Sequence, residues 1–553
     1  MPSLPSTIYP IGAYNLHGLV WQTSSNISDV SDVSDVSIDI SNHNSYIICV
    51  DAYQGHLLKI DPWSEGATVL NNYTASEFRD ATGLAIAGET LWVTKNNGIY
   101  YCNMIDFELQ PFMELPNKID GIAVSEGGVY VSSSEVGKIF VFGRATRTLL
   151  RIMDAPGAGF EALALVGEEL WVSDRTEETV YRMNAKTGEI LHRGLTPFPN
   201  PVSLGFLDNE LYVVYSGDEN YIRENPNDLD EPFSVAAREK TFIHRLRFNQ
   251  YKDGKLNYTL TNGYKVEMIY LEELSSEDPT SVYNLTWRVA YPTDNYRQKL
   301  LAIEPIGIPF EEEIVYGQRV AAFKLGNLKP AEARMFGWKA TLELRAIKYE
   351  LKDSEVEFVP ELSEDMKKLY LIDDDGLSMD NPLIQAAARE AVGDETNILR
   401  KMLLIRDYVY DKLAYRVTPY IASPEEVLVR GTGSCGEYVG LLLALTRLNG
   451  IACRTVGRYK CPHENDQVMN IPLHQYYNHV WIEFYIPSIG WLPMESNPDD
   501  TGYRPYPTRW FMGLPWYHVE IGKGIFFETI QPQPYSIGEL ALNHVRFKVL
   551  EEI

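Results

Sequence analysis

The stretch that decides the fold is Arg430-Gly431-Thr432-Gly433-Ser434-Cys435-Gly436-Glu437-Tyr438. It runs directly into Val439-Gly440-Leu441-Leu442-Leu443-Ala444-Leu445-Thr446-Arg447-Leu448-Asn449-Gly450. The second half predicts a helix with Leu441, Leu442, Leu445 and Leu448 on one apolar stripe, stopped by Gly450 as its C-cap. The glycines before Cys435 let the chain turn tightly, so Cys435 is expected at the first or second helical position. Unpaired backbone N–H groups and the positive end of the helix dipole favour an anion there. A thiol of ordinary pKa near ~8.5 drops below about 7.5 in such a place, or beside a cationic imidazole. The same N–H groups suit the oxyanion of a tetrahedral intermediate. Taken alone, the stretch fits a buried, inert cysteine equally well.

A second element shifts that balance. Asn478-His479-Val480-Trp481-Ile482-Glu483-Phe484-Tyr485-Ile486 alternates with period two. Val480, Ile482, Phe484 and Ile486 are expected to pack into the core, with His479, Trp481, Glu483 and Tyr485 on the other face. A hairpin at Pro487 to Gly490 leads to Trp491-Leu492-Pro493-Met494-Glu495, which brings His479 and Glu495 near one another on paired antiparallel strands. A cysteine, an imidazole base and a carboxylate that orients the base make a nucleophilic triad.

The order G-x-C at a helix start, then H-x-W-x-E, then W-x-P-x-acid resembles the transglutaminase-like superfamily, which has a papain-like core. The likeness is closest over Met379 to Asp500, and Arg454-Thr455-Val456-Gly457 resembles the family's strand after the helix. The resemblance implies Cys435 as nucleophile and His479 as general base. Glu495 stands where the family usually has Asp, one methylene longer, so Asn497 and Asp499 are alternative partners for the imidazole. It also implies a thioester acyl-enzyme. Water as acceptor gives a peptidase or amidase; an amine acceptor gives a new amide, as in relatives from natural-product pathways. The implied partners are a peptide, protein or acyl-carrier substrate and, for amide formation, an amine acceptor. No organic cofactor is implied, and no loop suited to the calcium of animal transglutaminases stands out.

Other candidates are weaker. Tyr438, His474, Trp481 and Trp491 are candidate substrate contacts, with Trp510 and Trp516 as further groove or core residues. Cys453, Cys461 and His463 suggest a metal site but lack four ligands at structural-zinc spacing, so no metal is expected. The run Asn26 to Asn42, with Asp-Val-Ser three times over, reads as a solvated loop rather than a calcium array.

Upstream, the chain repeats. Short apolar strands begin at Tyr46, Leu91, Val129, Leu170 and Leu211, at spacings of 45, 38, 41 and 41 residues. Further short strands lie before each of the last four and after each of the first four, so each unit holds three or four strands in about 40 residues, a β-propeller period. Five blades are counted, and Pro5 to Trp21 leaves room for a sixth, partial one. The units resemble the blades of NHL-type or gluconolactonase-like propellers; a β-sandwich array is the alternative. The fifth unit is interrupted at Glu224 to Lys240. From Gly263 longer alternating strands read as a β-sandwich that looks like the N-terminal domain of bacterial transglutaminase-like proteins. From about Pro382 the chain is α+β. The expected domains are therefore a propeller over 1–262, a sandwich over 263–378 and a catalytic core over 379–553.

Composition sets the outer bounds. The 553 residues are 45% apolar and 23% charged, with a net charge of −27, which argues against disorder. Such an acidic body disfavours nucleic acid or an anionic membrane as partner. No apolar run is long enough to span a bilayer, and Met1 to Pro10 lacks the basic and apolar regions of a secretory signal. Five cysteines, sparse and odd in number, fit free thiols in a reducing, cytoplasmic setting. The rival to an enzyme is a binding protein whose propeller face recognises a protein partner while the papain-like domain is inert.

Overall fold

The computed structural model describes residues 3–13, 15–23, 45–216, 241–274, 282–329, 332–357, 360–417, 420–461, 478–532 and 541–553. The chain divides into two compact units, residues 1–247 and 248–553. It is mostly β, with several small sheets and few helices.

In the first unit each repeat forms one four-stranded antiparallel sheet. The first comprises Leu16–Thr23, Ser45–Asp51, His56–Ile60 and Ala67–Val69, and the fourth comprises Phe160–Val166, Glu169–Asp174, Thr179–Asn184 and Ile190–Leu195. The fifth holds Pro201–Leu207, Glu210–Tyr215 and Phe242–Arg245 and is completed by Thr7–Ile8 from the start of the chain. Pro5 to Trp21 is thus shared between the fifth and first sheets and forms no further sheet among the described residues. The stretches Asn26 to Asn42 and Glu224 to Lys240 lie outside them. Strands such as Glu169–Asp174 are buried on both faces because neighbouring sheets pack face to face. Ile48 and Leu57 of the first sheet meet Leu84 and Leu91 of the second. Leu16 and Ile47 of the first meet Val202 and Tyr212 of the fifth.

In the second unit two sheets carry the long strands. One has the order Asn249–Asp253, Leu256–Leu274, Arg334–Glu350, Gln298–Ile306; the other has Glu311–Val315, Gln318–Leu328, Val282–Ala290, Glu528–Gln531. The expected sandwich strands are present, but they are not self-contained. Ala541–Glu552, at the end of the chain, pairs along Leu256–Leu274, and Glu528–Gln531 pairs with Val282–Ala290. Residues far apart in sequence therefore complete both sheets.

A third sheet has the order Gly490–Met494, Asn478–Ile486, Cys453–Lys460, His518–Ile521. The helix Cys435–Leu448 packs on its two central strands, flanked by the helices Pro382–Val392 and Ile398–Lys412. Asn381 and Asn397 cap these two by accepting backbone N–H groups of their first turns. The shared core joins Leu441, Leu442 and Leu445 to Ile482, Phe484 and Leu492.

Candidate active site

Ser434 is the N-cap of the cysteine helix, and its backbone N–H donates to Glu437 Oε2 at 2.7 Å. Glu437 also accepts from the Ala422 N–H at 3.0 Å and from Arg430 at 2.8 Å. Arg430-x-x-x-Ser-Cys-x-Glu is thus a closed hydrogen-bonded turn that presents Cys435 at the first helical position. Burial works against a thiolate there. The hydrogen bond and charge of His479, and the backbone N–H groups of Val480 and Gly436, more than offset it and hold the thiol below its ordinary value.

His479 enters from the strand at the centre of the sheet. Its Nε2 lies 3.0 Å from Glu495 Oε1 and 2.9 Å from Oε2. With Nε2–H donated to the carboxylate, Nδ1 is the ring nitrogen left for the sulfur. The hairpin register explains the pairing. Ile482 faces Met494, so Glu495 continues opposite Trp481, one step along the same face from His479. Glu495 is fully buried, which opposes ionisation, yet His479 and His518 hold it well below the usual carboxylate range. The Ser496 N–H adds a donor at 2.9 Å. Asn497 and Asp499 are engaged elsewhere: Asn497 accepts from the Ser496 hydroxyl, and Asp499 accepts from Arg509 and the Trp510 N–H.

Of the remaining sequence candidates, Trp481 lies beside the imidazoles and Trp491 does not. Trp481 is fully buried, its ring 6.1 Å from that of His479 and 4.8 Å from that of His518. Tyr438 is also buried and donates to Asp500 at 2.7 Å. Trp491 pairs with Tyr485 at the hairpin end, six residues and roughly 20 Å along the strand from His479. There it meets the Tyr370 ring edge-on and lies under the Arg454 guanidinium, and it is not brought to Cys435. Trp510 and Trp516 are core residues. His474 and His463 lie outside the described residues. Cys453 and Cys461 flank one strand, roughly 25 Å apart by its rise, so they share no metal site.

Both faces of the His479 strand are covered, because Glu483 is buried in ion pairs with Arg454 and Lys523. The residue that sequence reading missed is His518, whose Nε2 hydrogen-bonds Glu495 Oε1. The available signal was a histidine and a glutamate alternating in the short strand His518–Ile521, polar groups in an otherwise apolar setting. His479, Glu495 and His518 also offer ligand atoms within 4.8 Å of one another, but those atoms are already joined by hydrogen bonds.

Residues 385–496 match the family model of the transglutaminase-like superfamily and form a transglutaminase-like domain. Over 115 residues the chain is 27% identical to a protein-glutamine gamma-glutamyltransferase of Pseudomonas aeruginosa, a match covering 20% of this chain and 16% of that protein. The match therefore spans about a sixth of the curated relative's length. Among solved structures, a protein of Cytophaga hutchinsonii provisionally described as a cysteine protease aligns over 53% of this chain and 93% of its own. The identity is 17% and the TM-score 0.39. A glutaminyl cyclase of Myxococcus xanthus aligns over 30% of this chain and 80% of its own, at 13% identity and a TM-score of 0.25.

Proposed function

We propose that this protein is an enzyme that transfers acyl groups through Cys435. The observation that carries this is the continuous chain from a helix-start thiol, held below its ordinary pKa, through His479 to the buried Glu495 carboxylate. His479 Nδ1 takes the Sγ–H proton, and the thiolate adds to an amide or thioester carbonyl. Backbone N–H groups at the start of the helix hold the oxyanion. Collapse breaks the bond to the leaving group, which takes its proton from His479, and leaves a thioester on Cys435. Water or an amine then attacks the thioester, giving its proton to His479. Expulsion of the thiolate releases an acid or an amide, and the proton on His479 returns to the departing sulfur, which restores the starting thiol and imidazole.

For the first unit we infer a five-bladed propeller, supported by the face-to-face sequence of sheets and the meeting of the fifth with the first. With the two long-stranded sheets as a sandwich, this gives three domains, the propeller selecting a protein or carrier substrate for the cysteine site. The test is mass spectrometry of intact protein after incubation with peptide amides and acyl thioesters. An acyl adduct that Cys435→Ala abolishes supports acyl transfer. Turnover retained in that variant overturns it.

A further inference from the structure

We infer that His518 is a positioning residue for the Cys435–His479–Glu495 chain: a second imidazole that fixes the Glu495 carboxylate against His479. The inference rests on the acyl-transfer function proposed above. Glu495 carries one more rotatable bond than an aspartate in the same role, and that freedom has to be removed if the carboxylate is to orient an imidazole. The structure shows how it is removed. Oε1 meets the Nε2 of both His479 and His518, and Oε2 meets His479 Nε2 and the Ser496 N–H. All three side chains are buried.

His518 reaches this carboxylate from across the sheet. Its strand pairs with Cys453–Lys460 on the side away from the His479 strand, with His518 opposite Lys460 and His479 opposite Arg458. Its own placement is fixed in turn. The buried Arg297 donates to the backbone carbonyl of His518 at 2.9 Å and to those of Pro515 and Trp516 at 2.8 and 3.1 Å, while pairing with Glu520 at 2.9 Å. The Trp481 ring packs edge-on against the imidazole at 4.8 Å. A rigid second donor therefore clamps a long acidic side chain from a strand outside the hairpin that carries His479 and Glu495.

The test compares His518→Leu and His518→Gln in the full chain, reading the pH dependence of iodoacetamide alkylation at Cys435. Wild type is expected to show an inflection below that of an ordinary thiol. In His518→Leu the inflection should move up by about one unit, slowing alkylation near pH 6 roughly tenfold. His518→Gln, which restores an N–H donor, should recover most of that rate. A folded Leu variant with the wild-type profile overturns the positioning role. So does stoichiometric zinc in the wild-type protein that either variant loses, which would make His518 a ligand. An ordinary inflection in wild type would instead sink the acyl-transfer function itself. If the Leu variant does not fold, histidine-labelled NMR of wild type decides: Nε2–H on His518 supports the clamp, and a bare Nε2 overturns it.

Discussion

Gly457 faces Val480 across the central strand pair, and a Cβ added to it would fall 2.7 Å from the His479 carbonyl oxygen and 3.1 Å from Val480 Cγ1. The strand that carries the base and its neighbour thus approach as closely as glycine allows. One of the two obstacles is backbone and cannot swing aside. Gly457→Ala is expected to displace the His479 strand and cost about 1–3 kcal/mol. Alkylation of Cys435 should slow with it. Urea denaturation followed alongside alkylation checks this, and a variant with wild-type values in both would show that the strand pair has slack.

The five thiols should separate sharply in reactivity. Cys49, Cys102, Cys453 and Cys461 are buried, and burial pushes all four thiols up, those of Cys102 and Cys453 to about 12. Cys435 alone is held below its ordinary value and is partly accessible. Brief exposure of the folded protein to iodoacetamide near pH 6 should therefore give one adduct, located at Cys435 by peptide mass spectrometry. His479→Ala should raise the pH needed for that adduct, because it removes both the hydrogen bond and the charge that favour the thiolate. Equal labelling of several cysteines would contradict the assignment.

Much of this site could be read from the chain because its determinants are local. A glycine-flanked Cys435 before an apolar helix, and a histidine and an acid on the arms of one short hairpin, are fixed by helix and strand periodicity. The same register arithmetic places Trp491 beside Tyr485 at the turn, far from His479, and a count from the hairpin would have excluded it. What was not legible depends on distant pairing. His518 is brought to Glu495 by a strand 23 residues downstream, and the long-stranded sheets are closed by Glu528–Gln531 and Ala541–Glu552. Alternation in Asn478–Ile486 likewise predicted two faces but not that both would be covered, because the second cover is a buried ion network with no apolar signature.

That network makes its own prediction. Lys523 lies 2.7 Å from Glu483 and 2.6 Å from Glu520, Arg454 2.6 Å from Glu483, and Arg297 2.9 Å from Glu520. Burial disfavours the Lys523 ammonium, but the two carboxylates outweigh it and raise its pKa. Lys523→Met removes the cation they share and leaves two buried anions with one arginine each. The expected cost is about 3–5 kcal/mol, read as a drop in denaturation midpoint. The loss should shrink when Glu483→Gln is added, since that change relieves the repulsion; a double variant no better than Lys523→Met would mean the two carboxylates are not coupled through the lysine.

Glu495 gives the acid dependence its sign. Its native pKa lies well below the ordinary range because, against burial, His479 and His518 hold the anion. A depressed carboxyl pKa stabilises the fold above the unfolded value of about 4.3, and that contribution is lost as pH falls through the native value. Glu495→Gln should therefore destabilise the protein at neutral pH by about 1–3 kcal/mol, leaving an imidazole donor unsatisfied. The gap to wild type should begin to close below about pH 4. Glu495→Asp keeps the charge but retracts it by one methylene, so one carboxylate no longer spans both imidazoles. Its stability loss should be the smaller of the two, while Cys435 alkylation near neutral pH falls by about tenfold as the orientation of His479 loosens. Denaturation across a pH series measures the first effect and alkylation kinetics the second. A Gln gap that widens in acid would show that Glu495 is not the anion that holds this site together.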